Sequence, residues 1–207
     1  MRWQIATPQK KEFPPFVKYE ELFSPPECVE IIRSGHVLGL SDGTIGNGKD
    51  SVPVVDQAYR KVQTAFMPPI DIDRKIDLRW LYKRLDERVQ WTNRDYYEFD
   101  LVGFDEGIVF LKYEADDETP GHYKWHQDFG GGPSSLRKLS IVVQLSPPES
   151  YDGCELSIFT NQAFIPQGST KQGDTIIFPS WTPHMVSDIT RGTRYALAVW
   201  VAGPRFR

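Results

Sequence analysis

The chain has 207 residues, 40% of them hydrophobic and 25% charged, with a formal net charge of −4 at pH 7. That length supports one substantial core, and the composition is that of an ordinary globular protein. The mild acidity offers no general basic field for a phosphate backbone, so nucleic acid is not an expected partner.

No apolar run approaches the roughly 20 residues of a membrane span, and the opening "MRWQIATPQKKEF" carries no apolar signal-peptide core. A cytoplasmic protein with no membrane partner is expected. The two cysteines, Cys28 and Cys154, lie far apart without metal-site spacing, so buried thiols in a reducing compartment are expected.

In chain order, "FSPPECVEIIRSG" offers Ser24 as an N-cap, Glu27 as its capping-box partner and prolines in the first turn. A helix from about Pro25 to Arg33, ended by Gly35, is expected, with His36 exposed in the loop beyond. Ser41 to Asp56, "SDGTIGNGKDSVPVVD", has no apolar period and reads as a loop or wide hairpin. From Ile72 to Trp91, Leu78, Leu81, Leu85 and Val89 recur at helical spacing and predict an amphipathic helix.

Beyond about Tyr96 the pattern turns to short strand-like runs between turn residues: "YEFDLVGF", "GIVFLKYE", "KLSIVVQLS", "CELSIF", "DTIIFPS" and "RYALAVWVAG". A mainly β fold is expected, an antiparallel jelly roll or barrel buttressed by N-terminal helices, all in one domain. Residues of about 1–95 form the helical and loop support and about 96–207 the β core.

The chemistry concentrates in "YKWHQD", Tyr123 to Asp128. Residues two apart on a strand share a face, so His126 and Asp128 can aim an imidazole and a carboxylate at one point. His184, in "FPSWTPHMVSDI", lies far enough along for several strands to return it beside them. Two histidines and a carboxylate are the facial triad of non-haem Fe(II) oxygenases, which leaves coordination positions open for reactants. His-x-Asp alone is common by chance.

Arg194 strengthens the reading, because in "TRGTRYALAVWV" it shares a strand face with Ala196, Ala198 and Trp200. Buried there, a guanidinium needs an anion, and a dicarboxylate held by its two-pronged fork would serve. Arg191, beside Gly192 in a turn, reads as solvent-exposed.

Together these motifs, in this order from about Phe104 to Pro204, resemble the Fe(II)/2-oxoglutarate-dependent oxygenases, in their prolyl-4-hydroxylase-like branch. The resemblance implies a double-stranded β-helix core, with His126, Asp128 and His184 as iron ligands and Arg194 anchoring the distal carboxylate of 2-oxoglutarate. It implies Tyr113 in the cosubstrate pocket, although four extra residues separate this tyrosine from the histidine. Gln144 stands where some members bind that carboxylate with a tyrosine, and an amide can donate the same hydrogen bond. Cys154 in "GCEL" replaces the second glycine of the family's usual turn.

The implied cofactors are Fe(II), 2-oxoglutarate and O2, with ascorbate as an accessory reductant. The implied reaction is hydroxylation coupled to oxidative decarboxylation of 2-oxoglutarate, halogenation being disfavoured by the carboxylate ligand Asp128. A peptide or protein substrate, proline first, leads by resemblance. A free amino acid or other small molecule is the enzymatic alternative, and a non-catalytic cupin-like metal-binding module the other.

Around these residues His122 reads as a surface or supporting histidine. Trp125, Phe129 and Trp181 read as packing around the metal or as a stacking platform. The acidic run "EADDE" reads as a solvated loop. "GGGPSS" after Phe129 lacks the end of a phosphate loop and, with Ser41 to Asp56, is expected to form a rim or lid.

Overall fold

Residues 13–46, 53–160, 163–166 and 171–205 are described by a computed structural model, to which the statements below are confined. Two facing sheets dominate. The larger has the order Val17–Tyr19, Thr175–Pro179, Arg137–Gln144, Ile189–Ala202, Ile108–Glu114, Gln63–Met67 and Ser41–Asp42, with Tyr151–Gly153 also pairing the start of the long strand. The smaller has the order Ala163–Pro166, Leu156–Thr160, His184–Val186, His122–His126 and Arg60–Lys61. All of the pairings are antiparallel, so the fold is the mainly β double-stranded β-helix, with two open sheets and no closed barrel.

The larger sheet is buried on both faces, which explains why its strands read as near-continuous apolar runs. Ile108, Phe110, Leu139, Ile141, Leu197 and Val199 pack against the helices, whereas Leu111, Tyr113, Ile176, Phe178 and Ala196 face the smaller sheet. The arginine and glutamine of that inner face are thereby enclosed.

The first helix, Pro25–Leu38, starts where expected, with the Glu27 carboxylate accepting from the Ser24 N–H at 2.8 Å and hydroxyl at 2.9 Å. It does not end at Gly35. A Cβ there would lie 2.5 Å from the Phe110 ring, so the glycine serves close helix-to-sheet approach, and the helix stops at Gly39, whose φ is +89°. His36 is exposed as expected, but on the last helical turn, where Nε2 lies 3.1 Å from the Tyr195 hydroxyl.

The second helix, Arg79–Thr92, carries the expected stripe, and Leu78, Leu81, Leu85 and Val89 are all buried. Its expected first turns are instead a hairpin of Ile70–Asp71 with Ile76–Asp77, closed by Asp71, whose carboxylate accepts from the Arg74 N–H at 2.9 Å. A local side-chain acceptor has won over helical propensity.

The expected strand over "YEFDLVGF" is also absent. A π-helical turn, Asn93–Tyr97, continues the helix, and the Asn93 side chain then grips Phe99 by both its N–H and its carbonyl, each at 2.9 Å. The face-to-face stack of Tyr97 on Phe99, with centroids 5.5 Å apart, completes that corner.

The segment Ser41–Asp56 contributes a wide hairpin, Ile45–Gly46 with Pro53–Val54, whose tip at 47–52 lies outside the described residues. Of "GGGPSS", residues Gly132–Ser135 belong to a short 3-10 turn, Gly132–Leu136. Among the described residues no helix is long and apolar enough to cross a membrane.

The helix-to-sheet contact generates one prediction. Gly35→Ala improves helix propensity by about 1 kcal/mol, but it drives a methyl into the Phe110 ring, and overpacking costs roughly 1–3 kcal/mol. A net loss of stability is expected in urea denaturation; a variant more stable than the parent would contradict the packing account.

Candidate metal centre

Two strands of the smaller sheet bring the centre together. His126 ends the strand His122–His126, His184 begins His184–Val186, and the two face each other in register. Their ring centroids are 4.1 Å apart.

Asp128 is placed differently from the expected strand alternation, since the strand stops at His126. Its N–H donates to the Ser180 carbonyl at 3.0 Å, as does that of Phe129 at 2.9 Å, and its own carbonyl accepts from Arg137 Nη1 at 3.1 Å. These bonds turn the carboxylate inward. Asp128 Oδ1 then lies 3.8 Å from His126 Nε2 and Oδ2 3.5 Å from His184 Nε2, with one ligand atom of each residue all within 4.8 Å of one another.

The donor set fits a divalent metal. His126 Nδ1 lies 2.7 Å from the Lys124 carbonyl and His184 Nδ1 2.9 Å from that of Thr182. A carbonyl can only accept, so each Nδ1 carries the proton and each Nε2 presents a lone pair to the centre. Ser140 donates to Asp128 Oδ2 at 2.7 Å and is itself 3.0 Å from the Ser180 hydroxyl.

Burial alone would raise the Asp128 carboxyl, but His184, His126, Ser140 and Arg137 outweigh it and hold it below its ordinary value. Burial, and then His184, hold His126 well below the usual histidine range against the pull of Asp128. Near neutral pH the carboxylate is therefore charged and the His126 ring neutral, the forms that ligate.

The other predicted residues lie on the inner face of the larger sheet. Arg194 is 3% exposed, with Nε donating to Gln144 Oε1 at 2.9 Å and its guanidinium carbon 5.6 Å from the centre of the Tyr113 ring. No carboxylate pairs with it among the described residues. Burial opposes its charge, yet Cys154, Tyr151 and Tyr113 around it hold its pKa above the ordinary arginine value. Tyr113 is likewise buried, and its pKa is raised by that burial. Arg191 is exposed and pairs with Asp152.

His122 is not on the surface: it is 6% exposed and its ring nitrogens face the carbonyls of Pro120 and Ala58 at 2.9 and 3.2 Å. Trp125 is 38% exposed and so is not core packing around the metal. Tyr123, within the quoted motif, stacks on His126 at 3.5 Å between centroids, with Arg60 over its other neighbourhood at 4.7 Å.

Sequence reasoning missed Ser140, Ser180 and Tyr151. Ser140 was legible in hindsight from strand parity, since it shares a face with Val142 and Gln144. Ser180 acts through its backbone carbonyl, which leaves no residue-type signal.

Three comparisons with known proteins agree with this geometry. Residues 108–202 match the family model of the 2OG-Fe(II) oxygenase superfamily. A PKHD-type hydroxylase of Pseudomonas putida is 37% identical over 86 residues, covering 39% of this chain and 38% of that protein. One from Teredinibacter turnerae is 44% identical over 69 residues, covering 32% of this chain and 30% of its own. The chain thus matches under two fifths of the length of these curated relatives.

Two solved structures share the fold. A Pseudomonas putida prolyl-4-hydroxylase superposes with a TM-score of 0.70 at 17% identity, covering 92% of this chain and 93% of that one. A Trichoplax adhaerens prolyl hydroxylase, in complex with a hypoxia inducible factor oxygen degradation domain peptide fragment, gives 0.72 at 16% identity, covering 91% and 84%.

The support of Asp128 by Ser140 can be tested directly. Removing an outer partner of a ligating carboxylate typically weakens metal affinity about 10–100-fold, so Ser140→Ala should bind Mn(II) or Co(II) at least about 10-fold more weakly by calorimetry. Equal affinity would show that the hydroxyl does not orient the carboxylate.

Proposed function

We propose that this chain, whose residues 108–202 match the family model of the 2OG-Fe(II) oxygenase superfamily, is a 2-oxoglutarate-dependent dioxygenase that hydroxylates a peptidyl residue, proline first. The observation that carries the reading is the convergence of His126, Asp128 and His184 on the smaller sheet opposite a buried Arg194 that has no carboxylate partner among the described residues. A closed structural metal site has no use for such a cation. A non-catalytic cupin-like module is disfavoured on the same ground.

In this reading His126 Nε2, His184 Nε2 and an Asp128 oxygen hold Fe(II). When bound, Fe(II) with 2-oxoglutarate and O2 supplies the oxidising chemistry: the oxo acid is converted to succinate and CO2, and one oxygen atom is inserted into a substrate C–H bond. The chain's own groups bind and orient. Arg194 takes the distal carboxylate, the buried Tyr113 lies beside it with its ring 5.6 Å from the guanidinium carbon, and Gln144 fixes the guanidinium by accepting from Nε. The apolar layer of Leu111, Leu156, Ile158, Phe178 and Val186 between the sheets excludes water from the pocket and strengthens these contacts.

Prolyl hydroxylation is supported by the prolyl hydroxylase neighbours, and a peptide substrate by the Trichoplax one, whose structure holds a peptide fragment. A free amino acid remains the competing substrate class. Incubation with Fe(II), 2-oxoglutarate and O2, followed by mass spectrometry, separates them. Proline-containing peptides are expected to gain one oxygen atom with matching succinate release, whereas turnover of free proline with none on peptides would move the assignment to small molecules.

The anchor role has its own outcome. Stripping the cation from a buried carboxylate partner costs roughly 3–5 kcal/mol, so Arg194→Met should raise the 2-oxoglutarate concentration needed for half-saturation by at least about 100-fold. Metal affinity should be unchanged. A variant saturated at the parent concentration would remove Arg194 from the site.

A further inference from the structure

The resemblance sets Gln144 at the distal carboxylate of the cosubstrate, but its own amide has no donor left to give. Its Oε1 accepts from Arg194 Nε at 2.9 Å, and its Nε2 donates to the Ser146 carbonyl at 2.8 Å and to the Tyr151 hydroxyl oxygen at 3.1 Å. The amide cannot be turned over. A flip would set an N–H against the arginine N–H and a carbonyl oxygen against the Ser146 carbonyl. Both amide hydrogens are therefore committed, and the Tyr151 oxygen is an acceptor.

That leaves the Tyr151 proton. Among the described residues it has no acceptor, although its oxygen is fixed by Gln144 and lies beside the Arg194 guanidinium, whose charge counters the rise that burial imposes on this phenol. The position is built rather than incidental. Tyr151 pairs with Gly192 on the long strand, two residues before Arg194, and a Cβ on Gly192 would stand 2.2 Å from the Ser150 carbonyl oxygen. The glycine of "TRGTR" therefore permits the approach that carries the phenol to the guanidinium.

Two other groups stand beside the guanidinium. Tyr113 lies with its ring near Arg194, 5.6 Å from centroid to guanidinium carbon, and Cys154 supplies only a weak thiol donor.

We propose that Tyr151, through its uncommitted O–H, joins Arg194 in binding the distal carboxylate of a dicarboxylic 2-oxo acid, with Gln144 holding both groups in register. The hydroxyl is delivered from the short strand Tyr151–Gly153, which pairs with the long strand that carries Arg194. This rests on the dioxygenase reading above. It adds a residue to it and assigns Gln144 an orienting role instead of a contact.

The test is equilibrium binding under anaerobic conditions, with Fe(II)-loaded protein titrated with 2-oxoglutarate and, separately, with 2-oxobutyrate, which lacks the distal carboxylate. Visible absorption and calorimetry are the readouts. Tyr151→Phe keeps the ring and is expected to weaken 2-oxoglutarate binding at least about 10-fold, as loss of a hydrogen bond to a charged group does. Its affinity for 2-oxobutyrate should match the parent, while its melting temperature falls modestly because the buried Gln144 amide loses one acceptor.

Parent-like 2-oxoglutarate affinity in Tyr151→Phe, or equal weakening for both acids, overturns the proposal. Should the phenylalanine variant not fold, Tyr151→Leu is read in the same way. If the parent protein binds metal but neither acid, the dioxygenase reading itself fails, an outcome distinct from a normal parent with an unaffected variant.

Discussion

The antiparallel pairing of His122–His126 with His184–Val186 is the constraint on which the centre depends. It sets His126 opposite His184, so that two imidazoles reached from distant parts of the chain meet at one place. Backbone carbonyls two residues before each histidine accept from its Nδ1, which fixes tautomer and ring angle at once. A one-residue slip would turn both side chains to the other face. The apolar layer between the sheets, Leu156, Ile158, Phe178 and Val186 among it, resists that slip because the same shift would expose it.

The larger sheet contributes the complementary half. Ser140 on its central strand reaches Asp128, Gln144 on the same strand reaches Arg194, and Arg194 comes from the long strand paired beside it. A single strand thus supports both the His126, Asp128 and His184 cluster and the buried guanidinium of Arg194. The helices matter to function only at one remove. By covering the outer face they allow this sheet to be buried on both sides, and a guanidinium enclosed within it has a strong need for an anionic partner.

Much of this was legible where residue type and spacing carry the signal. The β-rich second half and the stripe Leu78, Leu81, Leu85 and Val89 follow from periodicity, which also sets Arg194 and Ala196 on one strand face, although only the neighbouring histidine and aspartate motif turned that face inward. His126, Asp128 and His184 could be named together because their chemistry is uncommon in combination. Helix ends were less legible: Gly35 has the composition of a stop signal, but its missing side chain is used against Phe110, a partner 75 positions away that no local pattern reveals. The strand expected at "YEFDLVGF" gave way because Asn93 supplies both a donor and an acceptor to Phe99. Asp128 reached the cluster by turn hydrogen bonds to Ser180 and not by strand alternation, so its naming rested on an incomplete geometric reason. Tyr151 was invisible because its role depends on which atoms of Gln144 are already engaged.

The central claim is that two imidazoles from paired strands and one carboxylate from the following turn bind one metal ion with positions left open. X-ray absorption on the anaerobic Fe(II)-loaded protein tests it most directly. The account predicts a six-coordinate shell of nitrogen and oxygen donors with the scattering signature of two imidazoles, falling to one in His184→Ala. A sulfur donor in the shell, a four-coordinate closed site, or two imidazoles persisting in the variant would contradict it.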